Sequence, residues 1–230
     1  MRLRRERLAV ALEHKVYVYN FADLKLQHAT ETASNALGLL ALSPAPGPAV
    51  LACPGLHRGG VRLEWYDADS AGGGTAAGGA GPSAAGRRTR FVAAHDGALA
   101  ALALSADGSR LATASDKGTL VRVFDTASGA PLAELRRGAD RAVIFSVAFS
   151  PVQPGAATSP PGAWLAASSD KGTVHVWPLP PPGPVDAAAA VAVAAQPQQP
   201  PNGKVAFMVR DAAQQRICLL RYVACFYVRG

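Results

Sequence analysis

A short pattern that occurs twice along the chain constrains its fold more than any other feature of the sequence. Leu-Ala-Thr-Ala-Ser-Asp-Lys-Gly-Thr occupies residues 111–119, and Leu-Ala-Ala-Ser-Ser-Asp-Lys-Gly-Thr occupies residues 165–173. An alternating apolar run precedes each copy, and another follows it and ends in an aromatic residue, Phe124 or Trp177. Because side chains along a strand alternate between its two faces, this arrangement predicts a repeated unit of strand, turn, strand, Asp-Lys-Gly turn and strand.

The repeated unit is typical of one blade of a WD-type β-propeller, whose sequence period is roughly 40–45 residues. An insert at 151–162 absorbs the extra spacing between the copies, and His95 stands where such a blade often has a histidine before its first core strand. In each Asp-Lys-Gly turn we expect the aspartate to cap the turn and the glycine to supply a positive φ. The predicted fold is therefore all-β, an incomplete WD-repeat β-propeller, with parts of four blades at about 1–26, 36–68, 91–134 and 135–179.

Linkers and a tail interrupt and follow these blades. Residues 70–88 are rich in Gly and Ala, residues 180–203 are rich in Pro and Ala, and residues 204–230 form a divergent C-terminal tail. Neither of the first two segments can bury enough apolar surface to offset the entropy of ordering it. We therefore expect both of them, and the 151–162 insert, to be exposed loops.

The net charge of +7 favours an acidic partner, either nucleic acid or an anionic membrane. Arginine clusters at 2–7 and 87–90 lack the interleaved aromatic residues on which bases stack, so nucleic-acid binding is not predicted. No apolar run approaches the roughly 18 residues of a membrane-spanning helix, so any membrane contact should be peripheral. A basic start without a long apolar run argues against a secretory signal.

Nothing in the sequence indicates catalysis. The chain has no Walker loop, no nucleophile elbow and no metal-ligand spacing, and the glycine run at 72–81 lacks the strand and helix of a dinucleotide loop. Its three cysteines, Cys53, Cys218 and Cys225, do not have zinc-ligand spacing and are expected to be free thiols in a reducing compartment. The sequence therefore predicts neither an enzyme nor a cofactor.

The residues that carry chemistry are Arg136 and Arg137, in Leu135-Arg-Arg-Gly138. On a strand they point to opposite faces, so they are predicted to serve two separate pockets. A phosphate is bound by guanidinium groups, hydroxyls and bare backbone N–H groups. Candidates for the first pocket are Thr113, Ser115, Gly118, Thr119, Arg122 and Arg136, and candidates for the second are Arg137, Gly138, Ser169, Thr173 and His175.

Two details of these pockets are testable in a structure. Thr173 and His175 are two residues apart and should share a face, whereas Thr119 and Arg122 are three apart, so a β-bulge is expected to realign them. The alternative is that the two arginines are an ordinary solvated pair and that the Ser and Thr hydroxyls only satisfy turn backbone.

The Leu135–Gly138 motif, together with the flanking segments 114–124 and 168–177, resembles the PROPPIN family of WIPI-type autophagy propellers. The signature of that family is Phe- or Leu-Arg-Arg-Gly on a propeller strand. The resemblance extends over about residues 1–179 and is most specific in its middle third.

The resemblance implies a propeller of which this chain has about four of seven blades, and two pockets that bind phosphoinositides. The implied ligands are phosphatidylinositol 3-phosphate and the 3,5-bisphosphate. The implied partners are membranes that contain them and autophagy proteins that dock on the propeller. The implied location is cytoplasmic, peripherally on preautophagosomal, endosomal or vacuolar membranes.

Two other functions remain open from the sequence. A WD-repeat scaffold for protein interactions would keep the blades without needing paired arginines beside hydroxyl clusters. Alternatively, the short chain is an inactive truncated product, because an incomplete propeller leaves strand edges and blade faces open.

The resemblance also implies an apolar loop that inserts into the bilayer. Here that loop, at 178–202, contains no aromatic residue.

Overall fold

The computed structural model describes residues 1–66, 87–151, 162–180 and 205–208, the last segment by its backbone only. Within these ranges all the regular elements are β-strands, and they form four antiparallel sheets of four strands each. The predicted loops lie largely outside the described residues, as do Cys218, Cys225 and residues 209–230 of the predicted tail.

The sheets are numbered in chain order. Sheet I contains β1 (Arg2–Arg4), β2 (Arg7–Ala11), β3 (Lys15–Asn20) and β4 (Leu26–Glu31). Sheet II contains β5 (Ala41–Leu42), β6 (Ala49–Pro54), β7 (Gly60–Tyr66) and β8 (Arg87–Ala93). Sheet III contains β9 (Leu99–Leu104), β10 (Arg110–Ser115), β11 (Leu120–Asp125) and β12 (Pro131–Arg136). Sheet IV contains β13 (Ile144–Phe149), β14 (Trp164–Ser169), β15 (Thr173–Pro178) and β16 (Val205–Met208).

Each sheet is a meander in which sequence neighbours pair, and the sheets stack in chain order. The first strands of successive sheets contact one another, β1 with β5, β5 with β9 and β9 with β13. The first strands therefore lie along a common axis, and the fourth strands lie at the outer rim. Face-to-face stacking of four-stranded meanders around an axis is the arrangement of propeller blades.

The hydrophobic core lies between the sheets. Three clusters of buried side chains join sheets I and II, sheets II and III, and sheets III and IV. In the last of these, Trp177 of β15 is wholly buried in the same cluster as Ala112, Ala114 and Val121 of sheet III. Small side chains on β10 therefore leave room for the largest side chain of the facing sheet.

Register decides which residues of sheet III face which neighbour. Ala114 pairs with Val121, which pairs with Leu135, and these three residues belong to the core cluster shared with sheet IV. Directly paired residues lie on the same face of a sheet. The opposite face of sheet III, which includes Leu111, therefore packs against sheet II, in agreement with the cluster that joins those two sheets.

The two Asp-Lys-Gly turns form equivalent contacts with the loops that enter their sheets. The Asp116 N–H donates to the carbonyl of Ala98 at 2.8 Å, and the Asp170 N–H donates to the carbonyl of Val143 at 3.0 Å. The Asp170 carboxylate in turn accepts a hydrogen bond from the Val143 N–H. The side chain expected to cap its own turn thus ties that turn to the neighbouring loop.

The sheets extend beyond the blade bounds expected from the sequence, and the differences lie in the fourth strands. β4 continues to Glu31. β8 belongs to sheet II, although residues 87–88 were expected in a linker and residues 91–93 in the third blade, and β12 carries residues 135–136, expected in the fourth blade, into sheet III. β16 lies in the expected tail. Rim strands are half-exposed, so they lack the clean alternation that identifies inner strands.

Candidate anion-binding pockets

Arg136 and Arg137 leave the end of β12 on opposite sides. Arg136 pairs with Leu120 in the ladder, and the Arg137 N–H extends the ladder by donating to the carbonyl of Thr119 at 2.8 Å. Leu135 and Arg137 are buried, whereas Arg136 between them is exposed. Arg137 therefore lies on the face that packs against sheet IV, and Arg136 lies on the face towards sheet II.

Most of the residues predicted for the first pocket lie between sheets II and III. Thr113 pairs with Arg122, which pairs with Glu134, so these residues and Arg136 lie on the face towards sheet II. Arg122 spans the groove, because its Nη1 donates to the carbonyl of Ala94 at 2.7 Å. Its Nε donates to Oε2 of Glu134 at 2.8 Å, an ion pair that the sequence analysis did not anticipate.

Thr113 and Ser115 form the floor of this pocket. Both are buried, and the hydroxyl of Thr113 lies 3.0 Å from Nε2 of His95. Burial lowers the pKa of His95 to about 4, with the positive charge of Arg122 acting in the same direction. The imidazole is therefore neutral near pH 7 and supports the pocket by hydrogen bonding and not by charge.

Gly118 and Thr119, predicted for the first pocket, lie in the turn between β10 and β11 and contact Arg137 and the loop at Ala142, on the side of the second pocket. The β-bulge expected between Thr119 and Arg122 is absent, and that prediction was wrong. The ladder between β11 and β12 runs without interruption from Leu120 to Val123, and its irregularity lies further along, before Phe124. The Thr119 carbonyl instead accepts the N–H groups of Arg137 and Gly138, which places Thr119 opposite Arg137.

The residues predicted for the second pocket lie between sheets III and IV. His175 pairs with Ala167 of the core cluster, so Ser169, Thr173 and His175 lie on the face towards sheet III, and the predicted shared face of Thr173 and His175 is confirmed. The Thr173 hydroxyl lies 3.1 Å from Nε2 of His175, whose ring stacks on Trp177 with centroids 5.7 Å apart.

Ser169 is wholly buried, and its hydroxyl has no hydrogen-bond partner in the part of the chain that the structure describes. Leaving a buried hydroxyl unsatisfied costs about 1–3 kcal/mol. An anion or water in the second pocket would remove that cost.

The Arg137 guanidinium closes the second pocket on the side of sheet III. Its Nε donates to the carbonyl of Gly118 at 2.5 Å, and its Nη2 donates to the carbonyl of Asp140. Only 5% of Arg137 is exposed. Arg137 therefore fastens the loop that enters sheet IV to the Asp-Lys-Gly turn of sheet III, and a ligand would meet a guanidinium already held in place.

The loop contact explains why Gly118 must be glycine. Gly118 has φ +65°, and a Cβ there would lie 1.9 Å from the carbonyl oxygen of Ala142. The Ala142 N–H donates to the carbonyl of Lys117 in the same turn. The turn and the loop are thus packed backbone against backbone, which only a residue without a side chain allows.

Charged groups around the mouths of both pockets are exposed. Arg58, in the turn between β6 and β7, approaches Asp116 at 3.3 Å, while Lys117 and Lys171 point to solvent. The described residues contain no helix long and apolar enough to cross a membrane and no group of three or more side chains that could hold a metal ion.

The stacked four-stranded meanders define a β-propeller protein. Its two adjacent arginines point to opposite faces of sheet III, so polar residues gather in two neighbouring inter-sheet grooves. A family model described as PROPPIN matches residues 1–181, and the chain belongs to that family. It is 40% identical over 184 residues to autophagy-related protein 18e of Arabidopsis thaliana, covering 79% of this chain and 41% of the relative. It is 39% identical over 181 residues to the mouse WD repeat domain phosphoinositide-interacting protein 2, covering 78% of this chain and 35% of the relative.

The fold agrees with solved propellers. Kluyveromyces lactis Hsv2 superimposes with a TM-score of 0.57 at 26% identity, over 77% of this chain and 47% of that structure. Kluyveromyces marxianus Hsv2 gives a TM-score of 0.54 over 76% of this chain and 47% of that structure, at 23% identity. The chain thus spans less than half the length of each of these relatives and structures, in agreement with the incomplete propeller predicted from the sequence.

Proposed function

We propose that this chain is a phosphoinositide effector of autophagy that binds membranes peripherally through the two pockets around Arg136 and Arg137. The observation that carries the proposal is the departure of these adjacent arginines into different inter-sheet grooves, each containing hydroxyls and a histidine. Relatives named as autophagy-related and as phosphoinositide-interacting support it.

The chemistry of each pocket suits a phosphate. The first contributes Arg122 and Arg136 above the Thr113 and Ser115 floor, and the second contributes Arg137 with Ser169, Thr173 and His175. Guanidinium groups bind phosphate with two parallel hydrogen bonds, and hydroxyls complete the shell. Basic side chains near an anionic leaflet would add roughly 1 kcal/mol each, so head-group recognition and general charge act together.

The proposal extends to ligand, location and partners. The ligands are phosphatidylinositol 3-phosphate and phosphatidylinositol 3,5-bisphosphate, on preautophagosomal, endosomal or vacuolar membranes that face the cytoplasm. Autophagy proteins dock on the propeller, and the chain acts as a binding protein without catalysis or cofactor. Both proposed pockets lie within the four sheets of this chain.

Liposome flotation tests this proposal. The native chain should float with phosphatidylcholine vesicles that contain phosphatidylinositol 3-phosphate and should not float with phosphatidylcholine alone. Arg136→Ala plus Arg137→Ala should abolish flotation. Arg5→Ala plus Arg87→Ala removes the same charge from exposed positions on sheets I and II and should leave most of the binding. Equal loss in both double variants would mean that only general charge is involved.

The hydrogen bonds of Arg137 to two backbone carbonyls favour one alternative, a WD-repeat scaffold in which the arginine is purely structural. In that case the native chain would not float with the vesicles, or its flotation would not change when both arginines are replaced by alanine. A soluble inositol phosphate head group added to the flotation mixture separates the two, because it competes only with a specific pocket.

A further inference from the structure

Glu134 places a negative charge inside the first pocket. It lies directly opposite Arg122 in the ladder, and its carboxylate accepts the Arg122 Nε–H at 2.8 Å. Arg136 is two residues after Glu134 on β12 and therefore lies on the same face. The carboxylate therefore lies on the surface where a phosphate bound by Arg122 and Arg136 would have to lie.

A phosphate and this carboxylate would compete for the same guanidinium. Nη1 of Arg122 is held by the carbonyl of Ala94 and Nε is held by Glu134. A phosphate that binds side-on uses the Nε–H together with a terminal N–H, so it would have to displace Glu134 or share the Nε–H with it. The Glu134 side chain is 36% exposed, which leaves it room to move aside.

The second pocket contains no such competitor on its strands. Among the described residues of β14 and β15 that face sheet III, those at the pocket are Ser169, Thr173 and His175. The acidic residues nearest along the chain, Asp140 and Asp170, are exposed in flanking loops, and the Asp170 carboxylate accepts the Val143 N–H. The two pockets are therefore electrostatically unequal.

We infer that Glu134 is a built-in competitor that lowers the affinity of the first pocket for phosphate and so sets the balance between the two pockets. The inference rests on the proposed function, because it concerns the same sites. Its consequence is that neutralising this one carboxylate strengthens binding without any new contact to the ligand.

Glu134→Gln tests the inference, since glutamine keeps an oxygen to accept the Arg122 hydrogen bond and removes only the charge. The probes are phosphatidylcholine vesicles with phosphatidylinositol 3-phosphate and, separately, the soluble inositol phosphate head group measured by calorimetry. We expect binding to tighten ~3–10-fold, the effect of removing one charge roughly 4 Å from a phosphate where water screens the interaction. The gain should appear with both probes, because the competition involves the head group and not the bilayer.

Two controls isolate the pocket. Glu31→Gln makes the same change of charge at an exposed Lys15 ion pair on the rim of sheet I and should leave affinity within about twofold. In an Arg136→Ala background, Glu134→Gln should give no gain, because the first pocket no longer binds. Glu134→Thr is a second neutral variant, and threonine is well suited to a strand. It should give the same gain in affinity, which would show that the result does not depend on a folding effect of glutamine.

The outcomes separate the inference from the proposed function. If the native chain does not bind either probe, both fail. If the native chain binds and both Glu134 variants bind equally or more weakly, the proposed function stands and the inference is overturned, since the carboxylate would then be holding Arg122 in its binding position. A gain of the same size in Glu31→Gln would also overturn it.

Discussion

The hydroxyl of Tyr66 donates a 2.6 Å hydrogen bond to the carboxylate of Glu64, and that carboxylate is wholly buried between sheets I and II. Arg62 donates to the same group at 2.7 Å, and His28 of sheet I lies 3.2 Å from it. One carboxylate thus joins β7 to the rim strand of the preceding sheet. Stacking of these two sheets therefore depends on a polar network as well as on hydrophobic contact.

Acid should destabilise the chain partly through Glu64. Burial alone raises the pKa of this carboxyl, but the Tyr66 hydrogen bond and the charges of His28 and Arg62 outweigh it, so the pKa is below its ordinary value of 4.5. A lowered pKa contributes stability above the ordinary value, and this stability is lost as the pH falls through the folded pKa. Urea midpoints measured from pH 7 downwards should fall more steeply below 4.5 for the native chain than for Glu64→Gln. Equal slopes would contradict this account.

His95 should remain neutral far below the usual range for histidine. Its pKa is lowered to about 4 from 6.5, chiefly by burial. Because the folded state favours the neutral ring, the contribution of His95 to stability is present above 6.5 and is lost as the pH falls through about 4. NMR titration of the imidazole should show a midpoint close to 4. A midpoint near 6.5 would mean that the Thr113–His95 contact is open to water.

Replacing Gly118 should test the packing of the turn against the loop. Gly118→Ala places a Cβ 1.9 Å from the Ala142 carbonyl in addition to the cost of φ +65°, so a loss of about 3 kcal/mol or more is expected. Gly38→Ala is the matched control, because Gly38 has φ +62° and no heavy atom within 4 Å of its Cβ position. It should lose only about 1 kcal/mol. Urea unfolding gives both values, and equal losses would rule out the clash.

The two adjacent arginines should differ in what they contribute to stability. Arg136→Ala removes an exposed side chain and should change the free energy of unfolding by less than about 0.5 kcal/mol. Arg137→Ala leaves the carbonyls of Gly118 and Asp140 without their donors and should cost about 2–4 kcal/mol. Arg137→Lys should restore only part of that loss, because an ammonium cannot reproduce the guanidinium fork. Equal thermal shifts for the two alanine variants would contradict the difference in burial.

Local pattern in the sequence was sufficient to predict the inner strands of sheets III and IV and their Asp-Lys-Gly turns, whereas β1, β5 and β6 were not predicted. Alternation in 120–124 and 173–177 follows directly from burial of one face in each core cluster. The rim strands were harder to predict, because β8 and β12 have few buried positions and so little alternation. The fourth strand of sheet IV is separated from β15 by a long insertion, which hides it from any search for a regular period.

The division of the two arginines between two grooves followed from strand geometry alone. The Glu134 ion pair did not, because it depends on the register that places Glu134 opposite Arg122. Burial of Arg137 was also unpredictable from residue types, since its two acceptors are backbone carbonyls, which every residue has. The bulge predicted between Thr119 and Arg122 was wrong for a similar reason. The spacing of residues along one strand does not determine where its pairing with the neighbouring strand becomes irregular.

A single peptide bond joins Arg136 to Arg137, so the arginines of the two grooves are both positioned by the end of β12. Any movement of that strand end towards one groove carries the neighbouring arginine away from the other. A ligand bound at one of the two proposed pockets should therefore change the position of the arginine at the other, with no longer path through the protein.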